Sequence, residues 1–459
     1  MTSDPEAATV RLGRFAIDAV PPPAARTRAA AAWLDTVGVM LAGASEPASR
    51  IVQRVAAGEG GESGEGGGAC HIVGTRTRTG ACGAALANGT AAHALDYDDM
   101  CFVSLAHPSA PLVAAALAAA EVAGASGRTV LDAYVVGFEI EARLGRRMNP
   151  RHYQRGWHCT STLGTIGAAA AASRLLGLDA MEAGHALAIA ASEASGLKEN
   201  FGSMVKPLHA GLAARNGVLA ARLAKGGMTA SVRAIDGAQG FLVALDSQHA
   251  SLDDEIADLR RRWEIVDTGI TVKLYPSCAG THPSLDAILD LRQREGFTAE
   301  DVEGVDIDVD SITPTVLVYE RPVNGLEAKF SLPFCAAAAI VDGRVGIETF
   351  EAGRLEDPRV AALMPRVAMR VAAPLDTSGP PLTQARISIR LRDGRTVHQA
   401  ANGARGYPEQ PASDDELGAK FLACARRTMS DAAAGQALAR LRAIDAVDDI
   451  RSLMPLLQA

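Results

Sequence analysis

The chain has 459 residues, of which 48% are hydrophobic, 21% charged and only 4% aromatic, and its formal net charge is −8. This length is too great for one hydrophobic core, so about two to three domains are expected, with cores built mainly from aliphatic side chains. The negative charge and the absence of a Lys/Arg-rich run disfavour nucleic-acid binding, although a local cationic pocket for a small anion remains compatible with them.

The cysteines and the apolar runs of the sequence indicate the cellular compartment of the protein. Seven cysteines are scattered along the chain in an odd number and without CxxC spacing. They read as reduced thiols rather than a disulfide framework, a zinc site or an iron–sulfur site. The N-terminus is acidic and lacks the apolar core of a signal peptide, and the apolar run at 110–120 is too short to span a bilayer. The sequence therefore predicts a soluble cytoplasmic protein.

Helix formers dominate the first part of the chain. A triple proline ending at Pro23 supplies a stiff entry to the first predicted helix, and a Gly-rich segment at 58–68 is expected to be an exposed mobile loop. Residues 71–75 are compatible with a short extended piece. Long Ala/Leu/Val segments then favour buried helices over strands. The predicted helices cover 24–43, 112–123, 129–146, 162–176, 180–195 and 208–225, and 1–267 is expected to be one all-helical domain.

The pattern changes near residue 265. Alternating apolar and charged residues predict strands at 302–312 and 366–373, and a hairpin at 385–402 with a two-residue turn at Asp393-Gly394. With helices at 282–295 and 328–342, residues 268–403 are predicted to form a smaller, lid-like α+β domain. Ser413 then resembles an N-cap, and helices at 414–428, 431–443 and 447–457 are expected to return to the helical domain as a tail, 404–459. The fold class is mainly α.

The stretch at 85–108 concentrates ionisable side chains in apolar surroundings. Buried charges must be paired or bound to a ligand, and such clusters tend to have perturbed pKa values. A solvated acidic helix end with unrelated histidines is the simpler interpretation, and a metal cluster is conceivable although the spacing fits no metal motif. The residues concerned are His93, Asp96, Asp98, Asp99 and His107.

Two further stretches carry single candidates. His158 precedes a Ser/Thr/Gly run that can begin a helix, where an anion is favoured, and a histidine suits proton transfer near neutral pH. A histidine that merely satisfies a backbone group there is the alternative. Lys206, before Pro207, is expected outside a regular helix, where its ammonium can reach a ligand carboxylate; a solvated lysine is the alternative.

Two stretches lie in the second half of the chain. The first, 271–287, sits where the composition changes, and interfaces between domains are preferred ligand sites, although a plain hinge is the alternative. Its functional groups include Lys273, Tyr275, Ser277, Cys278, Thr281 and His282. The second, 318–334, carries Tyr319, Arg321 and Lys329, and taken alone it reads as a solvated loop before a core helix.

Five motifs in order resemble one known family. HALDYDDM, GWHCTSTLGT, MVKPLHAGLAARNG, VKLYPSCAGTHPSLDA and EAKFSLPF are similar to motifs of the MmgE/PrpD family. That family includes 2-methylcitrate dehydratase, cis-aconitate decarboxylase and iminodisuccinate epimerase. The resemblance covers nearly the whole chain. It implies a helical domain built from both chain ends, an inserted α+β domain, a homodimer, and a cofactor-independent, metal-free active site between the domains that takes small di- or tricarboxylates.

Residue by residue, the resemblance implies an acid–base site. The two lysines would neutralise substrate carboxylates and stabilise the charge left when a proton departs from the adjacent carbon. His158, with Asp96 nearby, would act as general base and acid, and His107 as a further proton donor or acceptor. The predicted catalytic residues are Asp96, His107, His158, Lys206 and Lys273, and the predicted substrate contacts are Lys206, Lys273, Tyr319, Cys278 and His282.

Departures from the family pattern bear on the reaction. Members resembling the decarboxylase have Thr, often followed by His, where this chain has Met100 and Cys101, and His where it has Cys278. These differences disfavour cis-aconitate decarboxylation. Dehydration of a 2-methylcitrate-like acid is the leading hypothesis, and an epimerase or isomerase using the same proton abstraction is the alternative. A non-catalytic polycarboxylate-binding protein is disfavoured because the acid–base residues and both lysines are present.

Overall fold

A computed structural model of the protein describes residues 7–58, 68–245, 251–376 and 383–459. The chain is mainly α-helical and divides into two compact units. The first unit comprises Met1–Asn200, Met204–Ile270 and Ser413–Ala459, and the second comprises Phe201–Ser203 and Thr271–Ala412. The sequence predicts the corresponding boundaries at 268 and 404. Apart from its ends, the predicted Gly-rich loop at 58–68 lies outside the described residues.

The first unit is built from helices and one short antiparallel strand pair, β1 (Cys70–His71) and β2 (Arg78–Thr79). The helices predicted from the sequence are confirmed with ends shifted by a few residues, whereas the extended piece expected at 71–75 is limited to β1. Of the thirteen helices given next, the first, third, fourth, seventh and last three were not predicted individually. In chain order the helices are α1 (Ala8–Asp18), α2 (Pro23–Gly43), α3 (Pro47–Gly58), α4 (Ala81–His93), α5 (Ser109–Ala123), α6 (Gly127–Met148), α7 (Arg151–Gln154), α8 (Cys159–Leu175), α9 (Ala180–Glu193), α10 (Val205–Lys225), α11 (Phe241–Ala244), α12 (Asp253–Ala257) and α13 (Glu264–Asp267).

Helices α4 and α10 cross with their backbones in direct contact. A Cβ on Gly89 would lie 2.9 Å from the carbonyl oxygen of Ala210, and one on Gly211 would lie 2.4 Å from that of Leu86. Only glycine permits so close an approach, since any side chain would collide with main chain. The crossing lies about one turn from the C-terminal end of α4 and the N-terminal end of α10. It therefore brings the residues at those two ends together.

The second unit packs helices against a four-stranded sheet with strand order β4-β3-β5-β6. The edge strand β4 pairs in parallel with β3, whereas the pairs β3–β5 and β5–β6 are antiparallel. Helices α14 and α17 lie against the sheet, and the aliphatic side chains between them form the core of this unit. The elements are α14 (His282–Glu295), β3 (Val302–Val309), α15 (Thr313–Val316), α16 (Gly325–Ala328), α17 (Leu332–Asp342), α18 (Pro358–Leu363), β4 (Val367–Val371), β5 (Gln384–Leu391) and β6 (Thr396–Asn402).

The strands and helices predicted in this unit are confirmed with three adjustments. β3 ends earlier than predicted because the carboxylate of Asp310 accepts the backbone N–H groups of Ile312 and Thr313 and turns the chain into α15. The predicted helix at 328–342 begins only at Leu332, where Ser331 caps it. The hairpin is confirmed, with Gly394 at a φ of 89°, but its loop spans 392–395 instead of two residues.

The C-terminal segment forms α19 (Asp414–Ala425) and α20 (Asp431–Arg442) within the first unit. Ser413 and Glu416 form a capping box at the start of α19, which confirms the predicted N-cap. The α-helix predicted at 447–457 is wrong, because the chain forms separate 3₁₀ turns at Ile444–Ala446, Ile450–Ser452 and Met454–Leu457. Among the helices in the described ranges, none has the length and apolar character needed to cross a membrane.

Candidate active site

The C-terminal end of α4 and the loop after it carry a buried cluster of acids and imidazoles. His93, the last residue of α4, places Nδ1 2.7 Å from Oδ2 of Asp98, and both side chains are fully buried. Asp96 has a φ of 51°, a left-handed conformation that Asp adopts more readily than most residues. The interpretation as a solvated acidic helix end is therefore wrong, because these side chains lie inside the first unit.

His107 lies between two of these carboxylates. Its Nδ1 is 3.5 Å from Oδ2 of Asp98, and its Nε2 is 3.9 Å from Oδ1 of Asp96. Its ring meets that of His93 edge to face at a centroid distance of 4.6 Å, and its backbone N–H donates to Oγ1 of Thr160. One nitrogen of this ring therefore faces Asp98 and the other faces Asp96.

Lys206 brings a cation to the same cluster. Its Nζ donates to Oδ1 of Asp96, and the lysine is only 5% exposed, so the solvated alternative is wrong. The expected position outside a regular helix is also wrong, since Lys206 belongs to the first turn of α10. Pro207 is tolerated there because the first backbone N–H groups of a helix have no intrahelical acceptor.

His158 approaches the cluster from α8. It is the N-cap residue of that helix, but its side chain makes no capping hydrogen bond. Instead its ring lies 5.7 Å from that of His93, and its Nδ1 lies 3.0 Å from Nδ1 of His209. Its backbone N–H donates to the carbonyl of Gly196. The ring therefore belongs to the cluster, and the alternative of a histidine serving only the backbone is excluded.

Burial favours the neutral form of three imidazoles of the cluster, those of His93, His158 and His209. Burial lowers the pKa of His158 well below its usual value, and the neighbouring His93 and Lys206 lower it further. The pKa of His93 is likewise lowered by burial, and burial lowers that of His209 to about 4. Neutral imidazoles near physiological pH can accept a proton, which suits a general base.

Sequence reasoning missed His209 and did not include His93 or Asp98 among the predicted catalytic residues. His209 follows Lys206 by three positions on α10, a spacing that places both side chains on one face of a helix. That spacing was visible in the motif MVKPLHAG. A lone histidine among apolar neighbours is, however, more often a core residue, so the spacing alone is a weak signal.

Contacts behind the cluster hold its loop. Ser109 donates both its backbone N–H and its hydroxyl to Asp99, and burial raises the pKa of that carboxyl to about 8. From α19, Lys420 forms an ion pair with Asp35 at 2.6 Å and donates to the carbonyl oxygen of Tyr97 at 2.8 Å. Helix α19 thus anchors the backbone between Asp96 and Asp98.

The other predicted site residues belong to the second unit. Lys273 is fully buried, and Cys278 is half-buried and donates its N–H to the carbonyl of Lys329. His282 is buried with Nε2 3.3 Å from the carbonyl oxygen of Ser277. The Tyr319 hydroxyl donates to the carbonyl of Phe201 at 3.0 Å. Roles in substrate binding remain predictions for these residues.

Four side chains of the cluster have the chemistry of metal ligands. His93, Asp96, Asp98 and His107 offer ligand atoms that all lie within 4.8 Å of one another. The Lys206 ammonium, however, already bonds to Asp96 and would repel a metal cation at this point. The arrangement therefore fits an acid–base site for an anion better than a metal centre.

Neutral buried imidazoles beside a carboxylate–ammonium pair are groups that can accept and donate protons. The chain belongs to the MmgE/PrpD family: the MmgE/PrpD N-terminal domain matches residues 12–252 and the MmgE/PrpD C-terminal domain matches residues 275–444.

Three curated relatives are named as cis-aconitate decarboxylases or as similar to them. A cis-aconitate decarboxylase-like protein of Aspergillus oryzae is 29% identical over 77% of this chain and 77% of its own length. The human cis-aconitate decarboxylase is 29% identical over 76% of this chain and 73% of its own length. The cis-aconitate decarboxylase of Aspergillus terreus is 27% identical over 85% and 84%, respectively.

Proposed function

We propose that the protein is a cofactor-independent lyase that removes a proton α to a carboxylate of a small di- or tricarboxylate and then expels a hydroxyl group as water. The observation that carries this proposal is the buried His158, whose lowered pKa leaves it neutral, beside the Asp96–Lys206 pair. A neutral base can start a reaction that begins with proton removal, whereas a reaction that begins with protonation of the substrate needs an acid.

The neighbouring groups suit the later steps. The Lys206 ammonium can neutralise the carboxylate whose charge increases as the α-carbon loses its proton. His107, with carboxylates at 3.5 and 3.9 Å, is suited to hold a proton and give it to the departing hydroxyl. Contacts of the substrate with Lys273, Cys278, His282 and Tyr319 stay predictions from the sequence.

Decarboxylation is the second candidate because the curated relatives are named for cis-aconitate, a tricarboxylate. Against it stand Met100, Cys101 and Cys278, which replace residues that decarboxylase-like members carry. Epimerisation shares proton removal with dehydration and differs only in the fate of the resulting carbanion. Dehydration, decarboxylation and epimerisation would all act on small polycarboxylates, and their products distinguish them.

Incubation with small polycarboxylates in deuterated water, followed by proton NMR, tests the proposal. We expect exchange of the α-proton together with formation of an alkene and water. His158→Gln and Lys206→Met should lower turnover by about a hundredfold or more, since general acid–base groups contribute about 10²–10⁴. Lys225→Met is the matched control, because Lys225 is an exposed lysine of the same helix. Thermal unfolding of each variant checks that it is folded.

Each other outcome has a definite meaning. Release of carbon dioxide would assign decarboxylation, and exchange with inversion would assign epimerisation. Binding without exchange for every acid would indicate a polycarboxylate-binding protein. Normal turnover in a folded His158→Gln or Lys206→Met variant would overturn the roles given to these residues.

A further inference from the structure

Two histidine rings of the cluster meet through the same type of nitrogen. Nδ1 of His158 and Nδ1 of His209 are 3.0 Å apart, a hydrogen-bonding distance, and the residues are 2% and 5% exposed. A hydrogen bond between two nitrogens requires a proton on one and a lone pair on the other. Each ring thus dictates the tautomer of its partner.

The backbones that carry the two rings are held by hydrogen bonds to their surroundings. The hydroxyl of Ser161, on α8, donates to the backbone carbonyl of His209 on α10. A Cβ on Gly196 would lie 3.5 Å from the imidazole of His209, and the carbonyl of Gly196 accepts the backbone N–H of His158. The backbone at Gly196 therefore lies near the ring of His209 and also holds the backbone of His158.

Proton counting separates the two arrangements of this contact. If His209 donates from Nδ1, His158 carries its proton on Nε2 and has no nitrogen left to act as base. Protonating His158 would also place two N–H groups against each other. If His158 donates from Nδ1, its Nε2 holds a lone pair, and uptake of a proton at Nε2 leaves the bond to His209 intact.

We infer that His209 is a positioning residue whose Nδ1 lone pair accepts the Nδ1–H of His158 and so fixes the tautomer in which Nε2 of His158 takes the substrate proton. This inference rests on the proposed function. In that step the C–H bond breaks, the proton forms an N–H bond at Nε2, and the electron pair stays on the substrate as an enolate.

Kinetics of paired variants test the role. His209→Leu fills the space without an acceptor, and we expect kcat to fall about a hundredfold with KM changed by less than about threefold. His209→Asn offers an oxygen near the place of Nδ1 and should keep kcat within about tenfold of the wild type. His185→Asn, at a histidine on α9 that bonds to Ala230, is the control and should leave kcat unchanged.

Nitrogen NMR of the substrate-free protein, with ¹⁵N-labelled imidazoles, reads the tautomer without any reaction. His158→Gln identifies the signal. We expect the proton of His158 on Nδ1 in the wild type and on Nε2 in His209→Leu. A wild-type proton on Nε2, an unaltered kcat in His209→Leu, or equal impairment of folded Leu and Asn variants would overturn the inference. Absence of wild-type turnover on any polycarboxylate would instead refute the proposed function, and the NMR measurement would still decide the tautomer.

Discussion

Asp96 combines a buried ion pair with a left-handed backbone conformation, at a φ of 51°. Asn tolerates this conformation nearly as well as Asp, whereas a Cβ-bearing residue without a short polar group is strained by about 1–2 kcal/mol. We expect Asp96→Asn and Asp96→Ala both to lose turnover, because neither keeps the carboxylate that holds Lys206. The Ala variant should also be less stable than the Asn variant by about 1 kcal/mol in urea unfolding.

The control for this pair of variants is Asp290, an exposed residue within helix α14 whose ion pair with Arg294 is also exposed. Exposed ion pairs contribute little and Ala is the better helix former, so Asp290→Ala should be at least as stable as Asp290→Asn. Equal stabilities of the two Asp96 variants would contradict the role of the backbone conformation. Full turnover of Asp96→Asn would contradict the role of the carboxylate.

The sequence predicts the members of the cluster better than their contacts. Asp96, His107, His158 and Lys206 were selected from motifs, and the structure places all of them together in the first unit. His209 was missed because its Nδ1 contact depends on how α8 packs against α10. Such packing follows from side chains far apart in the chain, and local composition does not encode it.

At the scale of elements, the crossing of α4 and α10 decides whether the cluster forms. A Cβ on Gly211 would lie 2.3 Å from Oγ1 of Thr90 and 2.4 Å from the carbonyl oxygen of Leu86. Gly211→Val must therefore push the helices apart, and we expect a loss of about 1–3 kcal/mol or more in stability. Turnover should fall by more than the loss of folded protein explains, because the shift separates Lys206 from the loop after α4.

Gly435, in helix α20, is the matched control for that substitution. A Cβ there meets nothing within 4 Å. Gly435→Ala should raise stability by about 0.5–1 kcal/mol and leave turnover unchanged. Calorimetry of both variants with parallel activity assays makes the comparison. A folded Gly211→Val variant with normal turnover would show that the close crossing is not needed for the site.

Elements were predictable where a strong local pattern agrees with the packing. The Ala-rich helices and the hairpin around Gly394 have such patterns, and the structure contains them. The segment at 447–457 failed because it is apolar at helical spacing, yet Pro455 lacks an N–H and Asp449 caps a short turn, so 3₁₀ turns form. The length of the hairpin loop was predicted wrongly because the pair Asp393-Gly394 also occurs in loops longer than two residues.

At the scale of the whole molecule, composition revealed the change of architecture but not every segment of each unit. The strand patterns after residue 300 separate the mixed unit from the helical one. Residues 201–203 belong to the second unit although helices of the first flank them, and the Tyr319 hydroxyl bonds to the carbonyl of Phe201. Three residues are too few for a compositional signal, so only tertiary contacts assign them.

Buried carboxyls of the first unit predict that stability falls as the pH rises from 6.5 to 8. Burial raises the pKa of Asp99 to about 8 and that of Glu139 to about 7, and it raises the pKa of Glu141 well above its usual value. All three carboxyls are ionised in the unfolded state across this window. In the folded state each one stays protonated until the pH passes its raised pKa, which Glu139 reaches first and Asp99 later. Folding therefore takes up protons, and each group still titrating contributes about 1.4 kcal/mol per pH unit until its folded pKa is passed.

The imidazoles oppose this trend only near its lower end. Burial lowers the folded pKa values of His158 and His209, whereas an unfolded histidine has a pKa of about 6.5 and is largely neutral above about pH 7.5. Urea unfolding midpoints measured from pH 6.5 to 8 should decline, and Asp99→Asn, which keeps the bonds to Ser109, should make the decline shallower. Asp179→Asn, at an exposed N-cap, should leave the slope unchanged. A slope in Asp99→Asn equal to that of the wild type would mean that Asp99 is already ionised in the folded protein.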